Sequence, residues 1–210
     1  MSFVFATVTL GTLGALIYKD KVNDNTVDVK SSINGKTYKV LNSGDTLVAA
    51  DTLAILENKA RDFVAKASKS YPTDSQIRRI TKYWTGTLSE IPQSDTIAYA
   101  LEKKDVFICV RDSAGNIQDI DDLFFVLLHE LSHIQNDTYG HDDKFWNQFK
   151  KTLEIANKLG CLPYKDYDNY HVTVCGKVIS SNPMTCVTRG ECFSELKPLR
   201  PSPPRGKLAS

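Results

Sequence analysis

The run His129-Glu130-Leu131-Ser132-His133 narrows what this chain can fold into more than any other stretch. Two histidines four residues apart share one face of an α-helix and can grip a single metal ion. Leu123, Phe124, Leu127, Leu128 and Leu131 recur around them, so the helix is expected to be buried. Zinc suits two neutral imidazoles and a third protein ligand, with a fourth position left for water. His141 is the third ligand expected, just past the helix end, with Gly140 before it to turn the chain back. Glu130 adjoins His129, where a carboxylate can take a proton from a water attacking a carbonyl. A chance His-Glu-x-x-His in a chain with four histidines is expected about one time in a few hundred. The third histidine and the helical setting argue against chance.

Size and charge exclude little else. The 210 residues suffice for one well-cored domain with appendages, and the net charge of +1 leaves only local patches to attract a charged partner. Of the five cysteines, none forms a Cys-x-x-Cys pair, which speaks against a cysteine zinc ribbon. Their uneven spacing speaks against a disulfide scaffold. Cys109, in the apolar run Val106-Phe107-Ile108-Cys109-Val110, reads as a small buried residue.

Residues 2–18 carry no charge and stop abruptly at Lys19-Asp20-Lys21. Seventeen residues is the lower limit for a helix that spans a bilayer. A signal peptide would need a basic start and a small-x-small cleavage site, and a core helix would need a polar face. The segment is therefore expected to be a single-pass transmembrane anchor. The flanking lysines favour a cytoplasmic main domain. The sequon Asn136-Asp137-Thr138 agrees, since a glycan beside the metal ligands would crowd the site.

Residues 19–45 read as a juxtamembrane spacer holding a hairpin, Thr26-Val27-Asp28-Val29 and Thr37-Tyr38-Lys39-Val40-Leu41 around Asn34-Gly35. A helix follows from about Ala49 to Ser70, and a second after Asp74 carries Ile77, Ile80 and Tyr83. Residues 85–118 read as strands, Thr96–Leu101 and Asp105–Val110 among them, and an edge strand beside the metal helix would suit an extended peptide substrate. Asp119 or Asp121 caps the metal helix. A further helix runs from about Asp142 to Leu159, stopped by Gly160, with Phe145 and Trp146 packing against the loop of His141. Asp142 can orient an imidazole or cap that helix, and the sequence favours neither.

A short hairpin is expected at 171–179. His171, the fourth histidine, reads as a surface or packing residue. Tyr167 or Tyr170 could donate a hydrogen bond to an oxyanion, although packing is the commoner role of a tyrosine. Residues 195–210 form a proline-rich basic tail expected to be disordered.

From about Thr96 to Cys175 the chain resembles the WLM and SprT-like zinc metallopeptidases. His129-Glu130-Leu131-Ser132-His133, Gly140-His141-Asp142-x-x-Phe145 and Phe107-Ile108-Cys109-Val110-Arg111 carry the resemblance. Asp166-Tyr167 to Cys175-Gly176 looks like the carboxyl-terminal hairpin of WLM-like proteins of large DNA viruses. The resemblance implies a compact α+β, zincin-like domain over 46–194, Zn2+ held by His129, His133 and His141, and Glu130 as general base. It implies a protein or peptide substrate, and nucleic acid as a partner by analogy alone. Two departures stand out. Seven residues separate His133 from His141, and Asn136 occupies the place of the metzincin glycine. The function expected is a membrane-anchored zinc endopeptidase, with its domain in the cytoplasm or associated with a virion. The alternative is a non-catalytic membrane or virion protein that keeps a zinc-stabilised fold as a scaffold.

Overall fold

The computed structural model describes residues 25–94, 96–136 and 140–185. The expected anchor at 2–18, the tail at 195–210, Cys186 and Cys192 lie outside them. Among the described residues no helix is long and apolar enough to cross a membrane.

The described chain is α+β, four α-helices on a mixed five-stranded sheet. Strands β1 (Thr26–Lys30) and β2 (Thr37–Leu41) form the antiparallel hairpin expected, Val29 opposite Tyr38. That hairpin is not a spacer. Strand β2 pairs in parallel with β3 (Leu88–Glu90), and Tyr38 and Val40 point into the main core. The alternation in Thr37-Tyr38-Lys39-Val40 carries the reason, since one buried face of period two needs a sheet to lie on. β3 continues in parallel to β5 (Asp105–Ile108), and β4 (Ala98–Leu101) pairs antiparallel with β5 as the last strand. The order is β1-β2-β3-β5-β4, which leaves β4 as an edge.

Helix α1 (Thr46–Ser70) starts at Asp45, whose carboxylate accepts from the Val48 N–H at 3.0 Å. Leu53, Leu56, Ala60, Phe63 and Ala67 fall at helical spacing and are buried. Helix α2 (Ser75–Tyr83) is capped by Asp74, as expected, and buries Ile77 and Ile80. Tyr83 is exposed rather than core. Helix α3 (Ile120–Gln135), capped by Asp119, is buried almost all round. It packs against α1, α2, β4 and α4 (Asp143–Lys158), so its sequence needs no polar face.

Cys109 forms a disulfide with Cys175, closing a separation of 66 residues and correcting its reading as a simple buried thiol. Cys175 and Gly176 make the two-residue turn between β6 (Val172–Val174) and β7 (Lys177–Ile179), with φ of 46° and 76°. That geometry suits a tight hairpin of primed type. The bond ties this outlying hairpin to the end of β5. Cys161 is a free, buried thiol.

A candidate three-histidine metal centre

His129 and His133 lie on the carboxyl-terminal half of α3, which ends at Asn136. Gly140 has φ of 91°, a left-handed backbone that glycine takes without strain. Asp142 then caps α4, accepting from the Phe145 N–H at 2.8 Å. Of its two open roles, this settles the cap. The turn and the cap together bring His141 back over α3. His129 is 1% exposed, while His133 and His141 are half-buried, so the cluster opens to solvent on their side.

The three imidazoles converge on their Nε2 atoms. His129 Nε2 lies 2.9 Å and His133 Nε2 3.2 Å from His141 Nε2, near the roughly 3.3 Å that two nitrogens would keep on a tetrahedral zinc. All three ligand atoms fall within 4.8 Å of one another, and the group could hold a metal ion. Its chemistry fits as well. Burial, with the neighbouring imidazoles, holds His129 well below its ordinary pKa. Burial, then His141 and then Lys103, hold His133 down to about 3. Burial holds His141 at about 4 against the opposing charge of Asp142. Neutral imidazoles are what a cation needs as ligands.

Aromatic rings fix the rotamers. Phe145 stacks on His133 at 4.1 Å between centroids and meets His129 and His141 on edge, both at 4.7 Å. Trp146 lies nearly parallel to His141 at 5.5 Å. The expectation that Phe145 and Trp146 hold the loop of His141 is met.

Glu130 is 3% exposed, and burial pushes its carboxyl up to about 8, against a hydrogen bond from the Ala100 backbone N–H. Backbone groups alternate in direction along a strand. The carboxyl is thus tied to the edge strand β4.

No family model matches the chain, and no solved structure matches it. The chain is similar to viral proteins. It is 41% identical over 76 residues to the uncharacterized protein 136R of Invertebrate iridescent virus 6, across 35% of this chain and 40% of that protein. It is 26% identical over 167 residues to the uncharacterized protein R325 of Acanthamoeba polyphaga mimivirus, across 73% of this chain and 82% of that one. The uncharacterized protein 042R of Invertebrate iridescent virus 3 matches at 36% over 67 residues, 42% of its length. The chain therefore spans about two fifths of the two iridescent-virus relatives.

Of the two candidate oxyanion donors, one is engaged elsewhere. Tyr167 is buried, and its hydroxyl donates to Asp122 Oδ1 at 2.7 Å at the opposite end of α3, while its ring packs on edge against Phe125. Tyr170 is 75% exposed. His171 is exposed and outside the cluster, as expected. Sequence reading missed the Ala100 N–H and the side chains that hold the end of α3, because they come from elements distant in the chain. Strand periodicity could have placed Ala100 on the inner face of β4, but nothing local predicts its bond to Glu130.

Proposed function

We propose that this chain is a zinc-dependent metallopeptidase of HExxH type, remotely related to the WLM and SprT-like enzymes and zincin-like in fold. The observation that carries the reading is the convergence of the three Nε2 atoms, with the buried carboxyl of Glu130 next to His129 on the same helix. His129, His133 and His141 would hold the ion. When bound, zinc supplies Lewis-acid chemistry, polarising a carbonyl and acidifying water.

The chain's own residues do the rest. Glu130 accepts the proton of the attacking water and delivers it to the leaving amine. The Ala100 N–H fixes the carboxylate while it waits. Phe145 and Trp146 exclude solvent from one side of the imidazoles, leaving the half-buried side of His133 and His141 for substrate. β4, an edge strand whose Ala100 N–H meets Glu130, supports a peptide or protein substrate lying extended beside it. For location we propose a virion or cellular membrane, reached through an anchor at residues 2–18. The viral relatives and the uncharged run support that setting.

Glu130→Gln tests the mechanism. The variant is expected to keep zinc and lose at least a hundredfold in peptide hydrolysis, the lower end of general-base contributions of about 10²–10⁴. Undiminished cleavage would remove Glu130 from the chemistry. If viral phenotypes were also indifferent to the substitution, the scaffold reading would replace the enzyme.

A further inference from the structure

The carbonyls at the end of a helix lack partners within the helix, and the last turn frays unless something else binds them. In α3 that turn carries His133 and starts the seven-residue link to His141. Two cations from different elements occupy its carbonyls. Arg79 of α2 donates Nε to the Ile134 carbonyl at 3.0 Å, with its guanidinium 5.1 Å over the Tyr83 ring. Lys103, from the turn between β4 and β5, donates Nζ to the Asn136 carbonyl at 2.7 Å. Positive charge at a helix carboxyl terminus is favoured by the helix dipole as well as by the hydrogen bonds.

The Lys103 turn carries a second sign of constraint. It closes through the Lys104 N–H on the Leu101 carbonyl at 3.0 Å, with Glu102 at φ 50° and Lys103 at φ 56°. Consecutive left-handed residues at the two central positions of a β-turn favour asparagine and glycine, and here neither is present. Such a conformation persists where surrounding contacts over-determine it, and these cluster at functional sites. A glycine would relax the backbone but give up the amine that reaches Asn136.

We propose that Arg79 and Lys103 are positioning residues of the metal centre, clamping the end of α3 so that His133 and His141 meet the same ion. The proposal rests on the metal-binding reading of the three histidines. The two residues touch neither metal nor substrate; they act through the helix end. Supporting groups behind metal ligands of this kind are worth about 10- to 100-fold in affinity.

The test uses the full 210-residue chain in the wild-type, Lys103→Met, Arg79→Met and Lys103→Arg forms. Zinc affinity is read by chelator competition, ligand geometry by the visible bands of Co2+, and Tm in the metal-free state. Lys103→Met and Arg79→Met are each expected to weaken zinc about 10- to 100-fold and to change the Co2+ bands, with metal-free Tm little altered. Lys103→Arg, which keeps a cationic donor, should recover most of the loss. Wild-type affinity and bands in both methionine variants overturn the clamp and leave the metal centre standing. So does a fall in metal-free Tm large enough to account for the whole loss, which would make the pair plain fold-stabilising residues. If Lys103→Met does not fold, Arg79→Met carries the same decision from the other side of the helix. A folded wild type that takes neither ion ends the metal centre and the clamp together.

Discussion

Glu57, on α1, is an ionised group placed almost wholly inside the fold, its side chain 2% exposed. Burial alone would raise its pKa. Lys36, Tyr38 and Arg61, all hydrogen-bonded to the carboxylate, outweigh burial and hold it below its ordinary value. A carboxyl whose folded pKa is depressed stabilises the protein above its unfolded pKa and loses that contribution as pH falls through the folded value. The Tm of the wild type should therefore drop more steeply than that of Glu57→Gln as pH falls below the ordinary value of 4.5, and thermal scans into the acid range check it. Equal slopes would mean that the three donors do not hold the charge.

The candidate ligands were legible at the residue scale because chemistry fixed their spacing. His129 and His133 share a helix face by arithmetic, and Gly140 marks the turn that returns His141. Caps were legible for the same reason, as Asp74 and Asp119 lie just before apolar periodic runs. The roles of Tyr167 and Tyr170 were not, since a hydroxyl's partner depends on which elements meet. Cys109 failed for that reason too. Its apolar run reads the same whether or not Cys175 lies opposite.

Between elements, the sheet is locked by a buried ion pair. Arg111, just past β5, forks onto Glu90 at the end of β3 with Nε–Oε1 at 2.7 Å and Nη2–Oε2 at 2.8 Å. Its other donors reach the Leu41 and Ser43 carbonyls, and the Leu41 N–H donates to Glu90 at 2.8 Å. One pair thus stitches β2, β3 and the chain after β5. Removing one partner leaves a buried charge, so Arg111→Met should cost about 3–5 kcal/mol in urea unfolding. Arg111→Met with Glu90→Leu should cost clearly less, because neither charge is then stranded. Equal losses would place the effect in packing rather than charge.

The disulfide acts at the same scale. Closing a loop of 66 residues is worth about 4 kcal/mol in the chain-entropy description. Cys109→Ser with Cys175→Ser should accordingly unfold at lower urea, and an unchanged midpoint would mean that the hairpin of β6 and β7 stays docked without the bond. Strand β3 falls within the stretch 85–118 read as strands, but its bounds were not legible. Its three residues are all buried and give no alternation to read, and only the neighbours β2 and β5 make them a strand.

For the whole molecule, the layout follows from one helix that has no outer face. The apolar side chains of α3 demand cover on every side, and α1, α2, α4 and β4 provide it. The hairpin of β1 and β2 belongs to that assembly, which explains why a spacer reading fails: its inner residues are part of the same core. His133 and His141 lie half-buried at the carboxyl-terminal end of α3, and Ile120 and Asp121 are partly exposed at the other end. The similarity to proteins of iridescent viruses and a mimivirus supports a virus-associated protein.

The most direct measurement is the zinc content of the purified 210-residue chain beside that of His141→Ala. The three-histidine centre predicts about one tightly held zinc per chain, weakened sharply when His141 is lost. A well-folded wild type that holds no zinc, even after incubation with the ion, would contradict it and leave His129, Glu130 and His133 as packing residues of α3.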